Sequence, residues 1–529
     1  MTINLVGFNG ASLSLDPKLL PEVVGVSSFD MRPGGKGDAR PWNAPSAVGG
    51  VTLGAGRKTI YRMGSDVESD SSYWLSWTTV VHAIRGFDAT DTTERTYYTG
   101  SGTPKWVDNT NALSSAPYPS ATRELSAPQP TVAPTATLTT DGPSGTAAAR
   151  YWVYTWVNDI GWESAPSPAS NSLTIKPGAV VGLVPNGTPP AGNYSITKIR
   201  WYATQTASDG TVEFAFLREY TLGASGQADD GRALGETLAT ESWIPLDGTA
   251  ANLTACWSQF AAATVGKAVR FCEPGYLYAW PLAYEYVVTH TPVAMAAFSQ
   301  RLVCLTTGGA EVFTGTDPGS MDQKPIDLPA CVSQRSVCSS DAGVFYASND
   351  GIQYYGVDGW RNLTAGVIRP DEFKTLFNPS SARAVLWKGL YICWLDSNGA
   401  GVGGLVVDPS NAQGVFFLST AYAAGYVDPL TRSLYVVDST TLKKWDAGSA
   451  HTWTWRSKVF RQARTEEFDR FELVCGGATT VKVWVDGTLF MNRSVTAGEH
   501  RLPNGIKGRD WQFELSSTSP VQAMSVYYG

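Results

Sequence analysis

The chain has 529 residues, too many for one small core and enough for three or four domains at about 150 residues each. Its 12% aromatic content and 43% apolar content argue against disorder, and its 53 Gly and 31 Pro follow no G-X-Y period, which rules out collagen. A net charge of −7, with no run of four or more Lys/Arg, argues against a sequence-specific DNA binder or a basic membrane-surface protein.

Many turn formers, many aromatics and only 16% charged residues indicate an all-β chain of short strands. The opening MTINLVGFNG carries neither the basic start nor the apolar core of a secretory signal. No apolar run approaches the ~18 residues of a membrane helix. The seven cysteines form no C-x-x-C, so reduced, buried thiols and folding in a reducing cytoplasm are expected.

Residues 1–50 read as an arm lying over other elements, with one helical turn at Asp16–Pro21 and extended chain at Gly34–Gly37 and Arg40-Pro41. Between 57 and 107 come four strand-like runs: Thr59–Arg62, Tyr73–Trp77, Val80–Ile84 and Arg95–Thr99. Each is β-branched or aromatic and bounded by turn formers, which predicts one four-stranded antiparallel unit. The Pro-, Ser- and Ala-rich stretch Ala112–Pro134 is a linker. Arg150–Val157, Ile196–Thr204 and Glu213–Tyr220 then head about seven strands over residues 135–250, the pattern of an immunoglobulin- or fibronectin-like sandwich.

From 260 to 450 the sequence repeats. Strand–turn–strand copies begin at Arg301, Gly343, Gly389 and Arg432, and a fainter one at Ala268. A period of ~40–50 residues is that of a β-propeller blade, which cannot bury both its faces alone. Residues 451–529, with Trp453–Lys458, Val481–Gly487 and Val521–Tyr528, form a small third β domain. The expected organisation is therefore an arm and strand-rich segment at 1–125, which supplies a closing blade, a sandwich insert at 126–255, propeller blades at 256–450 and a C-terminal β domain at 451–529.

No motif carries chemistry. Gly399–Gly404 matches G-x-G-x-x-G but is followed by the strand Leu405–Val407 and Pro409, whereas a dinucleotide site needs a helix there. Ser348-Asn349-Asp350-Gly351 is near the Asp-box of sialidase propellers and reads as a type I′ turn. The acid pairs Asp229-Asp230 and Glu466-Glu467 read as solvated loop residues. His82, His290, His451 and His500 are isolated, so no catalytic, cofactor-binding or metal residue is expected and no cofactor is implied. The 19 tryptophans suit sugar stacking, yet Trp74, Trp77, Trp152, Trp201 and Trp455 lie inside strand runs, where core packing is the expectation.

Ordered stretches over about 400 residues do resemble a family. They are Glu94–Gly100, Tyr151–Pro168, Lys198–Tyr202, Leu234–Leu238, Phe271–Pro274 with Ala279–Pro281, Thr314–Met321, Cys331–Ser336, Tyr346–Gly351, Trp455–Lys458 and Arg501–Pro503. In this order they resemble the tail nozzle proteins of short-tailed bacteriophages, also called tubular tail protein B; Gly178–Gly187 matches no part of the pattern. The resemblance implies a virion tail protein, not an enzyme, that assembles in the host cytoplasm. It implies a homo-hexamer around the tail axis, with a platform meeting the adaptor (head-to-tail connector) proteins, contacts to tail fibres or spikes, and DNA passing through the lumen without sequence-specific binding. Six copies at −7 each would give an acidic tube that repels phosphates. Two other functions suit the residues: a carbohydrate-binding or depolymerising propeller of the tail, and, without the G-H…W-D repeat marks, a peptide-binding cellular scaffold.

Overall fold

The computed structural model describes residues 2–33, 37–64, 69–206, 212–399, 401–411 and 413–528; Gly34–Lys36 of the expected extended segment and Ala400 of the glycine loop lie outside them. The chain is all-β. Among the described residues there is one α-helix, Pro370–Leu376, and everything else regular is strand or one of three short 3-10 turns. No helix of the described residues is long and apolar enough to cross a membrane. The chain divides into two units, one of residues 1–80, 290–313 and 324–529, the other of 81–289 and 314–323.

The first unit is built on propeller blades, each a four-stranded antiparallel meander. One meander runs Pro292–Phe298, Arg301–Thr306, Gly309–Thr314, Asp322–Ile326; the next runs Cys338–Ser340, Gly343–Ser348, Gly351–Gly356, Gly359–Asn362. A third runs Phe377–Trp387, Leu390–Ser397, Gly404–Val407, Phe416–Leu418. The fourth takes Ala424–Val427, Leu434–Asp438 and Thr441–Lys444 from one part of the chain and its outer strand, Ser46–Thr52, from the other end. The first strands of successive blades lie side by side, ending on Thr59–Arg62, which pairs with Trp74–Trp77.

Central strands such as Gly343–Ser348 and Gly404–Val407 are buried on both faces, because each of these two blades has another blade or strand pair on either side. Val303, Leu305 and Val312 pack against Val344 and Tyr346, and Phe345, Ile352 and Tyr354 pack against Tyr391, Cys393 and Leu405. The hairpin at Ser348–Gly351 is formed, with Ser348 paired to Gly351. It is not the expected type I′ turn. The left-handed position falls on Gly351 (φ 130°) instead of the two loop residues, and a Cβ there would come within 2.1 Å of Thr364 Oγ1.

The N-terminal segment is woven into the fold. Thr2–Val6 is an edge strand on Val521–Tyr527, with Ile3 and Leu5 turned into the core shared with Met524 and Val526. Ser27–Phe29 joins two sheets into one of ten strands: Phe29 pairs parallel with Phe417 of the third blade, and Ser28 pairs antiparallel with Trp455. Trp455 is sealed in place by the edge of Phe8, 5.0 Å away at 88°, and donates its Nε1–H to the Asn9 carbonyl at 2.8 Å. Asp16–Pro21 is a turn closed by Leu19 N–H on the Asp16 carbonyl (2.8 Å), not a helix. The C-terminal β domain consists of the sheet containing Trp453–Arg456, Thr479–Val485, Thr488–Val495 and Gly508–Ser517, facing the sheet of Arg470–Cys475, Gly498–Arg501 and the paired termini.

The second unit contains two further meanders. One is His82–Arg85, Thr96–Thr99, Lys105–Val107, Arg123–Glu124; the other is Ala251–Ala255, Ala261–Val265, Ala268–Phe271, Glu285–Val287. Their first strands are again neighbours. The sandwich lies between them in sequence, so it is an insert between two blades. Its sheets, Thr135–Thr140 with Val180–Val184 and Trp152–Asn158 with Ile196–Thr206 and Val212–Thr221, close over Ala136, Val181, Trp152, Tyr154 and Trp201.

The four runs between 57 and 107 therefore do not share one sheet. Thr59–Arg62 and Trp74–Trp77 pair with each other, while His82–Arg85 and Thr96–Thr99 belong to the other unit. Alternation fixes which face of a strand is buried, not which strand lies beside it.

The first unit also buries an ion pair. Arg62 Nη1 meets Asp428 Oδ2 at 2.6 Å with both side chains 2% exposed, and the same carboxylate accepts from Leu430 N–H and Thr431 Oγ1. Removing one member strands the other charge. Asp428→Ala is expected to cost about 3–5 kcal/mol, seen as a lower thermal midpoint for the first unit. The apolar double replacement Arg62→Met/Asp428→Leu should recover much of that loss.

Candidate functional site

A connected polar and aromatic site lies in the second unit, around Trp162 and Glu163. The strand Trp152–Asn158 is buried throughout, and the turn after it is set by Asn158, whose Oδ1 accepts from Ile160 N–H (3.1 Å) and Trp162 N–H (2.8 Å). That reversal drives the next two side chains inward. Trp162 stacks on Tyr278 at 4.8 Å and 16°, with Trp106 at 5.2 Å and Tyr97 at 6.2 Å. Such offset pairs add roughly 0.5–1.5 kcal/mol each beyond burial.

Glu163 is buried but fully engaged. Its Oε1 accepts from Thr155 Oγ1 and Tyr202 Oη, and its Oε2 from Arg200 Nη1, all at 2.6 Å. Arg200 reaches on to Glu219 through Nε (2.8 Å), and Lys198 meets the other Glu219 oxygen at 2.6 Å. Burial opposes the charge on Arg200, but the Glu219 and Glu163 carboxylates outweigh it and raise its pKa. Burial and the Glu163 charge push the Tyr202 phenol up. A buried charge network of this kind is stable only when every member is paired, and here each is.

Beside the stacked rings is a cleft of about 290 Å³, lined by Asp88, Asp91, Arg95, Trp162, Tyr276 and Tyr278 among others. Its two acids are tied into their own turns. Hydrogen bonds from Thr90 hold Asp88 below the usual carboxylate range. At Asp91 burial pulls upward, but hydrogen bonds from Thr93 and Arg95 N–H prevail and lower it. Burial pushes the Tyr97 phenol to about 12 and raises Tyr278 as well. Every shift resolved in the cleft moves its group away from neutral pH, and a general acid or base works best near the operating pH. The geometry is suited to holding parts together or to binding. A second cleft, of about 380 Å³ in the first unit, is edged by Trp42 with Arg32 at 5.2 Å and by Trp387 with Lys388 at 4.3 Å.

The residues weighed from sequence are scattered. Gly399 and Gly401–Gly404 lie on the hairpin connection into the strand Gly404–Val407. Asp229 is not solvated as expected: it is 1% exposed and accepts from Trp152 Nε1 (2.9 Å) and Arg150 (3.2 Å), while Asp230 pairs outward with Arg218 and Arg232. Glu466 pairs with Arg464, and Glu467 with Lys507. Trp74, Trp77, Trp152, Trp201 and Trp455 are all buried, and the seven cysteines are free. Among the described residues no group of three or more His, Cys, Asp or Glu side chains could hold a metal ion. Sequence reasoning missed Glu163, Arg200 and Tyr278; the available signal was an acid set beside Trp162 directly after the turn formers Asn158–Gly161.

No family model matches the chain, and no curated protein matches it. Among solved structures it is similar to the Neurospora crassa Pan2 WD40 domain (9% identity, TM-score 0.28, 52% of this chain and 85% of that one). It is also similar to apo AztD from Citrobacter koseri (12%, 0.27, 70% and 99%) and to the extracellular domain of the putative hybrid two component system BT4673 from B. thetaiotaomicron (8%, 0.30, 81% and 43%). At these scores none bears on what this chain does.

One histidine gives a pH signature. His82 opens the first strand of its blade, its Nδ1 is sealed without a partner, and burial lowers its pKa from 6.5 to about 4. Between those values the unfolded chain takes up a proton that the folded one refuses, so stability is undiminished above pH 6.5 and falls as the pH drops to about 4. His82→Gln should flatten that part of the pH–stability curve, measured by thermal midpoint at fixed ionic strength.

Proposed function

We propose that this chain is a structural virion protein of a bacteriophage tail, the nozzle subunit, forming a hexameric tube below the portal and adaptor through which the genome leaves. The observation that carries the reading is where the ordered stretches meet. Arg95 and Tyr97 come from Glu94–Gly100, Trp162 and Glu163 from Tyr151–Pro168, Arg200 and Tyr202 from Lys198–Tyr202, and Tyr278 from just before Ala279–Pro281; all converge on one hub. A shared active site would leave reactive groups there. This hub instead locks the insert to its flanking blades with paired charges and stacked rings, which is what a load on a tube wall demands. On this reading the chain is not an enzyme, it assembles in the host cytoplasm, and it contacts adaptor proteins, fibres or spikes, and passing DNA.

The test is assembly of the purified chain on portal–adaptor particles, followed by electron microscopy. A sixfold ring whose lumen has more Asp and Glu than Lys and Arg is the expected result; a chain that stays monomeric beside the adaptor overturns it. A second reading, a carbohydrate-binding tail protein, is favoured by the aromatic wall of Tyr276, Tyr278 and Trp162 in the 290 Å³ cleft. Saturable binding on a glycan array, lost in Tyr276→Ala, would promote it.

A further inference from the structure

Two arginines in the first unit sit together without the counter-charge their surroundings call for. Arg335 lies in the short 3-10 turn Gln334–Ser336. That turn is fixed from three sides: Ser336 Oγ donates to the Ser333 carbonyl (2.7 Å) and accepts from Ala347 N–H (2.9 Å), and Tyr391 Oη donates to the Ser336 carbonyl (2.7 Å). From it, Arg335 Nη2 donates to the Lys58 carbonyl at 2.9 Å and to the Ala423 carbonyl. These are the residues immediately before the inner strands Thr59–Arg62 and Ala424–Val427. Arg383, on the neighbouring inner strand, donates from Nε to the Tyr422 carbonyl and from Nη1 to the Ser381 carbonyl (3.0 Å).

Their acceptors, Tyr422 and Ala423, are consecutive, and the two guanidinium groups are near enough for the charge of one to act on the other. A guanidinium has five N–H donors. On Arg335, Nε and Nη1 have no partner among the described residues, and on Arg383, Nη2 has none. Among the described residues, the one carboxylate within ion-pair range of either is Asp396, 3.7 Å from Arg383 and 65% exposed. Burial, and then the charge of Arg383, lowers Arg335 to about 10, as expected for a cation partly out of water beside a like charge. Carbonyl dipoles satisfy hydrogen bonds but do not cancel two charges.

We propose that Arg335 and Arg383 bind a small oxyanion of the phosphate or sulfate class at the head of the inner strands, held by the unused Nε, Nη1 and Nη2 donors. Planar forks of this kind match a tetrahedral oxyanion, and charge-assisted hydrogen bonds are about twice as strong as neutral ones. The anion would tie the turn before one blade to the strand of the next, and so brace three blades at one point.

Calorimetric titration of the full chain with inorganic phosphate, at ionic strength held constant with chloride, tests this. Saturable binding near one phosphate per chain is expected, with a thermal midpoint that rises with phosphate and not with chloride. Arg383→Gln should weaken binding roughly tenfold or more, the worth of one charge-assisted hydrogen bond, and Arg335→Gln should abolish it. Asp396→Ala, which frees Arg383 of its competing carboxylate, should tighten it. This last variant keeps the test open even if Arg335→Gln fails to fold. No saturable binding, or binding unchanged in Arg383→Gln, overturns the proposal.

Discussion

A four-stranded sheet with two apolar faces cannot stand alone in water, and the organisation of this chain follows from that. Gly343–Ser348 and Gly404–Val407 are buried on both sides, so these two blades depend on the neighbours that flank them. Short strands supply few hydrogen bonds, and the contact between faces provides the driving force. The inner strands are brought together for the same reason, and the outer strands can be taken from wherever the chain supplies them. That is why Ser46–Thr52 completes the blade of residues 424–444 from almost 400 residues away.

Burying both faces leaves few places for polar groups, and those that are enclosed act as ties. Arg62 with Asp428, Glu163 with Arg200 and Tyr202, and Asp229 with Trp152 each join strands distant in sequence. Each has several partners at once, as a low-dielectric setting favours. Such groups add specificity of packing more than net stability, since a well-packed apolar replacement often costs little. Tryptophan has the same double use here: Trp455 fills space between sheets and anchors the Asn9 carbonyl.

The blades were legible because their turn chemistry recurs. The copies at Arg301, Gly343, Gly389 and Arg432 each fall on the second strand of a sheet, where hairpin residues and β-branched runs coincide. The fainter copy at Ala268 is the third strand of its sheet, and its partner Glu285–Val287 follows a long excursion instead of a hairpin. The insert was legible from its strand density. Invisible from sequence were the pairings that depend on distant chain: Thr2–Val6 on Val521–Tyr527, Ser27–Phe29 between two sheets, and the division of the 57–107 runs. The hub was hidden for the same reason. Whether Glu163 is solvated or enclosed depends on Arg200 and Tyr202, which no local pattern around residue 163 encodes.

The pairing of Thr2–Val6 with Val521–Tyr527 also sets a schedule for synthesis. On the ribosome the first strand emerges hundreds of residues before its partner, and Ser46–Thr52 likewise waits for Thr441–Lys444. The inserted sandwich, whose strands are all close in sequence, is free to fold as it emerges. The two-ended sheets become complete only once their distant partner strands have been made, leaving exposed edges that a chaperone would have to shield in the interval.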